Sequence, residues 1–323
     1  MIKMNINKAS LVALLIIGGM FSGLPVFADS DQHTSDSARH DNDSDHDARG
    51  SRDHCNGSDH SSRGHHKPPV KPPVGTAVNL GAAATFGAFG GAAGMTNQGV
   101  FTVINGDIGT TGASTLITGF HDRTAVYTET PLNIGAVNGI VYTATDPVGS
   151  VPSVMASAAA LAAQTAFDNL SPAALPGGLD VSTLGGGAGE LGSRTLAPGI
   201  YASAPGSFSI QGGDLTLDGR GNPNAVWIFQ MASTLTVGGP GAAFPQSVLL
   251  VNGAQAKNVF WQVGSSATIN EAGGGTMVGT IISFATTTFS TAGNVTIVTL
   301  QGRALALNAS VTLVNTHINL PAL

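Results

Sequence analysis

Repetition of one strand, corner and strand unit constrains this chain more than any other feature of its sequence. From Leu215 onward four copies read VWIFQMASTLTV (226–237), VFWQVGSSATI (259–269), GTIISFATTTF (279–289) and GRALALNASVTL (302–313). Each joins an apolar strand, through small residues, to a second strand in which Ser/Thr-x-Thr precedes an apolar residue. A unit this short cannot bury its apolar face alone, so the copies must stack as a solenoid. Corresponding threonines lie 32, 20 and 24 residues apart, too unevenly for a propeller and suitably for coils of variable length. The expected fold is an all-β solenoid, an irregular parallel β-helix.

Alignment of the copies stacks Thr234, Ser266, Thr286 and Ser310 in one column and Thr236, Thr268, Thr288 and Thr312 in a second. Between them fall Leu235, Ala267, Thr287 and Val311. Side chains alternate faces along a strand, so the two columns share a face and the intervening residues point the other way. Three of those four are apolar, which assigns the hydroxyls to solvent and Leu235 and Val311 to the interior. Outward threonine is also what any β-surface favours, so the columns alone do not separate a binding face from an ordinary strand surface.

Composition agrees. Residues 75–323 contain 38 Gly, 30 Thr and only 15 charged side chains, a mix for tightly turned β-structure in one large domain. One segment breaks the pattern. Residues 151–170 are Ala-rich, with Ser150 placed to cap, Pro152 in the first turn, Pro172 beyond the end, and Leu161 and Phe167 at helical spacing. This predicts one amphipathic helix whose many Ala make a thin, smooth face suited to lying along a sheet.

The N-terminus has other tasks. Lys3 and Lys8, an apolar run from Leu11 to Ile17, and Val26-Phe27-Ala28 form the n-region, h-region and cleavage site of a Sec signal peptide over 1–28. The run is shorter than the roughly 20 residues that span a bilayer, so export without membrane insertion is expected. Residues 29–74 then carry 9 Asp, 7 His and 6 Lys or Arg and close on KPPVKPPV. Such a segment lacks the apolar surface to offset its ordering entropy, which predicts a disordered tail and a polyproline spacer. His40, His46, His54, His65 and His66 are candidate ligands for Zn²⁺, Ni²⁺ or Cu²⁺. A solvated linker is the preferred reading, because no spacing there fixes a four-ligand geometry.

Several function classes are excluded or short of parts. With 13 Lys+Arg against 19 Asp+Glu, the chain is no basic nucleic-acid binder. Cys55 is the single cysteine, and His121 and His317 are the only histidines after residue 74. The strongest catalytic cluster is Asp214, Asp218 and Arg220 with Asn222 and Asn224, but DGRGNP (218–223) is turn chemistry between strands. The expectation is a monomeric protein that is not an enzyme and needs no cofactor.

The strings LGAAATFGAFGG (80–91), VINGDIG (103–109), LAPGIY (196–201), LTLDGRGNPNAVWIFQ (215–230), NGAQAKNVFWQVGSSATI (252–269) and GRALALNASVTL (302–313) resemble, in order, those of the DUF3494 ice-binding protein family. The resemblance implies a discontinuous right-handed β-helix of triangular section with one α-helix alongside, secreted, binding ice through a flat β-face and inhibiting recrystallisation. Some members carry T-A/G-x-T/N on that face. Thr291-Ala292-Gly293-Asn294 matches it and Thr111-Gly112-Ala113-Ser114 nearly does, so Thr291 and Asn294 join the hydroxyl columns as candidates. Rungs about 4.8 Å apart and alternate residues about 6.7 Å apart form a grid comparable to water spacings in ice. The expected partner is an ice crystal surface; the alternative is an extracellular polymer, met by an adhesion or matrix protein on the same scaffold.

Overall fold

Strands here are short because a turn residue interrupts the chain every few positions, and those of three residues all read buried, half-exposed, buried. The computed structural model describes residues 78–143, 151–184, 189–239 and 245–322. The expected signal peptide, the expected disordered tail with its candidate histidines, and Ser150 lie outside the described residues. Among the described residues three sheets form, of fourteen, three and seven strands, and the named strands pair in parallel except Phe120–His121 with Val126–Tyr127. Coil closure over three faces gathers inward-facing rows into one core. Leu235, Ala267, Phe289, Val311 and Ile318 meet there a stack of aromatic rings in which Phe229 lies 4.0 Å from Trp261.

Coils do not stack in chain order. The seven-stranded sheet runs Phe208–Ile210, Leu235–Val237, Ala267–Ile269, Thr287–Phe289, Val311–Leu313, Met95–Asn97 and Ile117–Thr118. The last coil therefore lies against the first, and residues 107–143 extend the stack beyond it. This is the discontinuity that the resemblance implies. The chain must return to the far end of the stack before residue 179, and α1 (Val151–Asn169) carries it there. Nineteen helical residues span about 28 Å, and the six strand intervals from Val141–Thr143 to Trp227–Met231 span about 29 Å. At the far end Gln230 Nε2 donates to the carbonyls of Leu170 and Leu175, at 2.8 and 3.0 Å.

The helix matches its expected limits, and the Ala-rich face expected to lie along a sheet is the face it buries. Ala156, Ala159, Ala163, Ala166 and Leu170 pack on Phe89, Ile200, Ile228, Phe260, Ile282 and Leu305 of the sheet. Leu161 is 70% exposed, and Phe167 is half-buried with its ring 6.2 Å from Phe284. The sheet supplies the bulky groups of this layer, so the helix contributes methyls at heptad spacing and its axis can approach closely. Rows of Ile and Phe covered by α1 explain why strands such as Trp227–Met231 and Val259–Val263 are buried at every position.

Candidate functional site

The seven-stranded sheet carries an outer surface built on a single side-chain chemistry. Its registers place Ser209, Thr236, Thr268, Thr288, Thr312, Thr96 and Thr118 in one unbroken column. All seven are half-exposed between two buried neighbours, as alternation on a pleated strand requires. Two positions earlier, Thr234, Ser266, Thr286 and Ser310 form the second column, also half-exposed, and Ser207 extends it. The carbonyls of Thr234, Ser266, Thr286 and Ser310 each accept the N–H of the adjacent strand, at 2.9 to 3.1 Å. Both columns thus stand where the repeat places them, and Leu235, Ala267, Thr287 and Val311 are buried between them.

The hydroxyls differ in what holds them. At one end Ser209 Oγ donates to Glu190 Oε2 at 2.7 Å, and Ser207 Oγ lies 3.0 Å from Thr234 Oγ1. At the other end Thr118 Oγ1 donates to Thr96 Oγ1 at 3.2 Å. Among the described residues the hydroxyls of Thr236, Thr268, Thr288 and Thr312 bond to no protein group, which leaves their donors and acceptors to water. Buried Thr287 is different in kind, with its Oγ1 2.8 Å from Ser283 Oγ in the interior.

Sequence reasoning missed Thr96, Thr118, Ser207 and Ser209. In the two N-terminal strands the earlier hydroxyl position holds Gly94 and Leu116, so the Ser/Thr-x-Thr string is absent there. Gly94 has φ +77°, and a Cβ on it would sit 2.2 Å from the Leu116 carbonyl oxygen, so no threonine fits. The remaining signal is the apolar, hydroxyl, apolar triplet, present as FSI (208–210) and, with Asn97 closing it, MTN (95–97).

Thr291 and Asn294 lie elsewhere, in the turn that follows Phe289. Thr291 is exposed, but Asn294 Nδ2 donates to the Glu271 carbonyl and to Ser290 Oγ, so its side chain is engaged in the corner. The catalytic candidates hold turns or join neighbouring coils. Asp218 Oδ1 accepts the Arg220 N–H and Asn252 Nδ2, both at 2.9 Å, which holds its carboxyl below the ordinary aspartate value. Asp214 Oδ1 accepts the Ser247 N–H at 2.7 Å and Asn222 Oδ1 the Asn224 N–H at 2.9 Å. Among the described residues no three or more His, Cys, Asp and Glu gather as metal ligands.

Comparison with known proteins supports one family. The model of the family described as Ice-binding-like matches residues 89–319. An ice-binding protein of Nostoc sp. (strain HG1) is 36% identical over 235 residues, covering 72% of this chain and 71% of the relative. An ice-binding protein of Leucosporidium sp. (strain AY30) is 34% identical over 203 residues, covering 60% of this chain and 68% of the relative. The crystal structure of an ice-binding protein from an Antarctic biological consortium superposes with a TM-score of 0.57 at 30% identity, covering 79% of this chain and 96% of the other.

Proposed function

This chain belongs to the ice-binding-like family, and we propose that it adsorbs to ice through its seven-stranded Thr/Ser face, as a secreted protein released by cleavage after Ala28. The observation that carries the reading is the column of six threonines and one serine in strict register across seven strands. At about 4.8 Å per strand the six intervals extend about 29 Å, and stacking suppresses the twist that would curve a free sheet.

Threonine suits this task for two reasons. Its χ1 is stiff on a strand, so hydroxyl positions repeat from rung to rung with little entropy to lose on adsorption. Its methyl and hydroxyl sit together, so a hydration layer can be ordered without a charge that would reorganise it. Neither column contains an ionisable group. Adsorption of this kind needs no bond-breaking residue, cofactor or metal, and an extended surface of weak contacts gains from the number engaged together.

The test is an ice-recrystallisation assay on residues 75–323, with thermal hysteresis measured in parallel. Inhibition of recrystallisation and a measurable hysteresis gap are expected. Absence of both from folded protein sinks the ice reading and moves the same face to an extracellular polymer.

A further inference from the structure

One edge of the Thr face is bound by a continuous series of side-chain amides that joins each coil to the next. Gln246 Nε2 donates to the Gln211 carbonyl at 3.4 Å. Asn270 Nδ2 donates to the Gln246 carbonyl at 3.0 Å, and its Oδ1 accepts the Gln246 N–H at 3.1 Å. Asn294 Nδ2 donates to the Glu271 carbonyl, and Asn315 Nδ2 to that of Asn294. Asn315 Oδ1 accepts the N–H groups of Val100 and Phe101 at 3.0 and 2.9 Å. Asn97 Nδ2 closes the series on the Gly119 carbonyl at 3.0 Å. All seven strands of the face are linked by these bonds at the corner where they end.

Two further observations set these amides apart from ordinary turn residues. Asn97, Asn270 and Asn315 are buried, at 0%, 0% and 4% exposure, and each follows an array threonine within three positions. Glycine stands where the amides need room. A Cβ at Gly238 would lie 2.2 Å from Asn270 Oδ1, and one at Gly99 would lie 2.3 Å from Asn315 Oδ1. A buried amide used at both ends fixes distance and direction together, because a shift of one coil leaves a donor or acceptor unmatched in a dry corner.

We infer that this amide clasp sets the height and register of the Thr rows, which makes Asn315, Asn270 and Asn97 positioning residues for adsorption although none lies in either hydroxyl column. The inference rests on the ice reading for its consequence, but its structural half can be tested without ice. Asn315 has φ +45°, so Asn315→Gly keeps the backbone and removes the amide, while Asn315→Asp keeps the acceptor and removes the donated bond. Gln230→Leu is the control, since it deletes comparable buried amide bonds beneath α1, away from the Thr face.

Hydrogen exchange and thermal hysteresis are measured on the three variants and the parent. In Asn315→Gly the amides of 287–289 and 311–313 are expected to exchange faster, those of 281–283 and 304–306 to stay protected, and hysteresis to fall severalfold. Asn315→Asp should fall between it and the parent. Gln230→Leu should keep its hysteresis even where its melting temperature drops as far. Unchanged exchange on the Thr strands, or equal loss of hysteresis in the Gln230 control, overturns the clasp. If the parent itself shows no hysteresis, selective loosening of the Thr strands in Asn315→Gly still supports the clasp, and uniform loosening rejects it.

Discussion

Thr96 and Thr312 are direct neighbours on the Thr face, paired in register although they come from opposite ends of the described chain. The array thus crosses the seam at which the last coil meets the first, and its far end is made by strands outside the C-terminal repeat. Substitution on either side of the seam should have the same effect.

Thr96→Tyr, Thr268→Tyr and Thr288→Tyr each place a bulky ring among short hydroxyls and hold neighbouring rungs away from a flat lattice. Hysteresis should collapse in all three, while stability moves by about 0.5 kcal/mol or less, as for most exposed substitutions. Thr299→Tyr, on a half-exposed position of another sheet, is the control. Full activity in Thr96→Tyr with loss in Thr288→Tyr would confine the working surface to the repeat.

The helix allows a sharper test of packing. Ala163 is fully buried against the sheet and Leu161 is 70% exposed. Ala163→Leu should therefore overpack the layer and cost about 1–3 kcal/mol, whereas Leu161→Ala should stay within about 0.5 kcal/mol of the parent. Urea denaturation of both variants measures this, and the reverse order would mean that α1 presents its other side.

Stability and activity should respond differently to pH. Burial pushes the Asp122 carboxyl up, but hydrogen bonds from Thr124, Val141 and Ala125 outweigh it and hold the group below 3.8; a bond from Ser182 does the same for Asp180. A depressed folded value stabilises the fold above the unfolded value, so this contribution is present at neutral pH and lost as pH falls below 3.8. Burial moves the Tyr201 phenol from 10.0 to about 12, with its hydroxyl donating to the Ala197 carbonyl at 2.6 Å. The unfolded chain releases that proton first, so stability also declines as pH rises through 10.0. Threonine hydroxyls do not titrate in between, so hysteresis should be level from about pH 5 to about pH 9. Melting temperature and hysteresis followed on one pH series would separate the two, and a step in hysteresis near neutrality would implicate an ionisable group at the face.

What could be read from sequence and what could not divide along physical lines. Parity is local, so the outward Thr236, Thr268, Thr288 and Thr312 and the inward Leu235 and Val311 follow from alternation alone, and the structure places them so. Stacking order is not local. Nothing in the strings around Thr96 and Thr118 announces that they continue the column begun at Ser209, because strand pairing across the seam is decided by tertiary closure. The Ala-rich face of α1 is equally local, but the Ile and Phe rows that it covers come from strands far apart in the chain. Amide side chains at corners look like common turn formers, and only their partners on neighbouring coils distinguish Asn315 from any other asparagine in a loop.

Because α1 runs beside the stack from one anchoring strand to another, it acts as a ruler for the width of the neighbouring seven-stranded sheet as well. A coil inserted between 237 and 259 would widen the Thr face by about 4.8 Å, but it would also move the Leu170 anchor away from Gln230 by the same amount. At about 1.5 Å per residue the helix would need roughly three more residues, close to one turn, to reach. The width of the Thr face is therefore written in the length of a helix that packs on a different sheet.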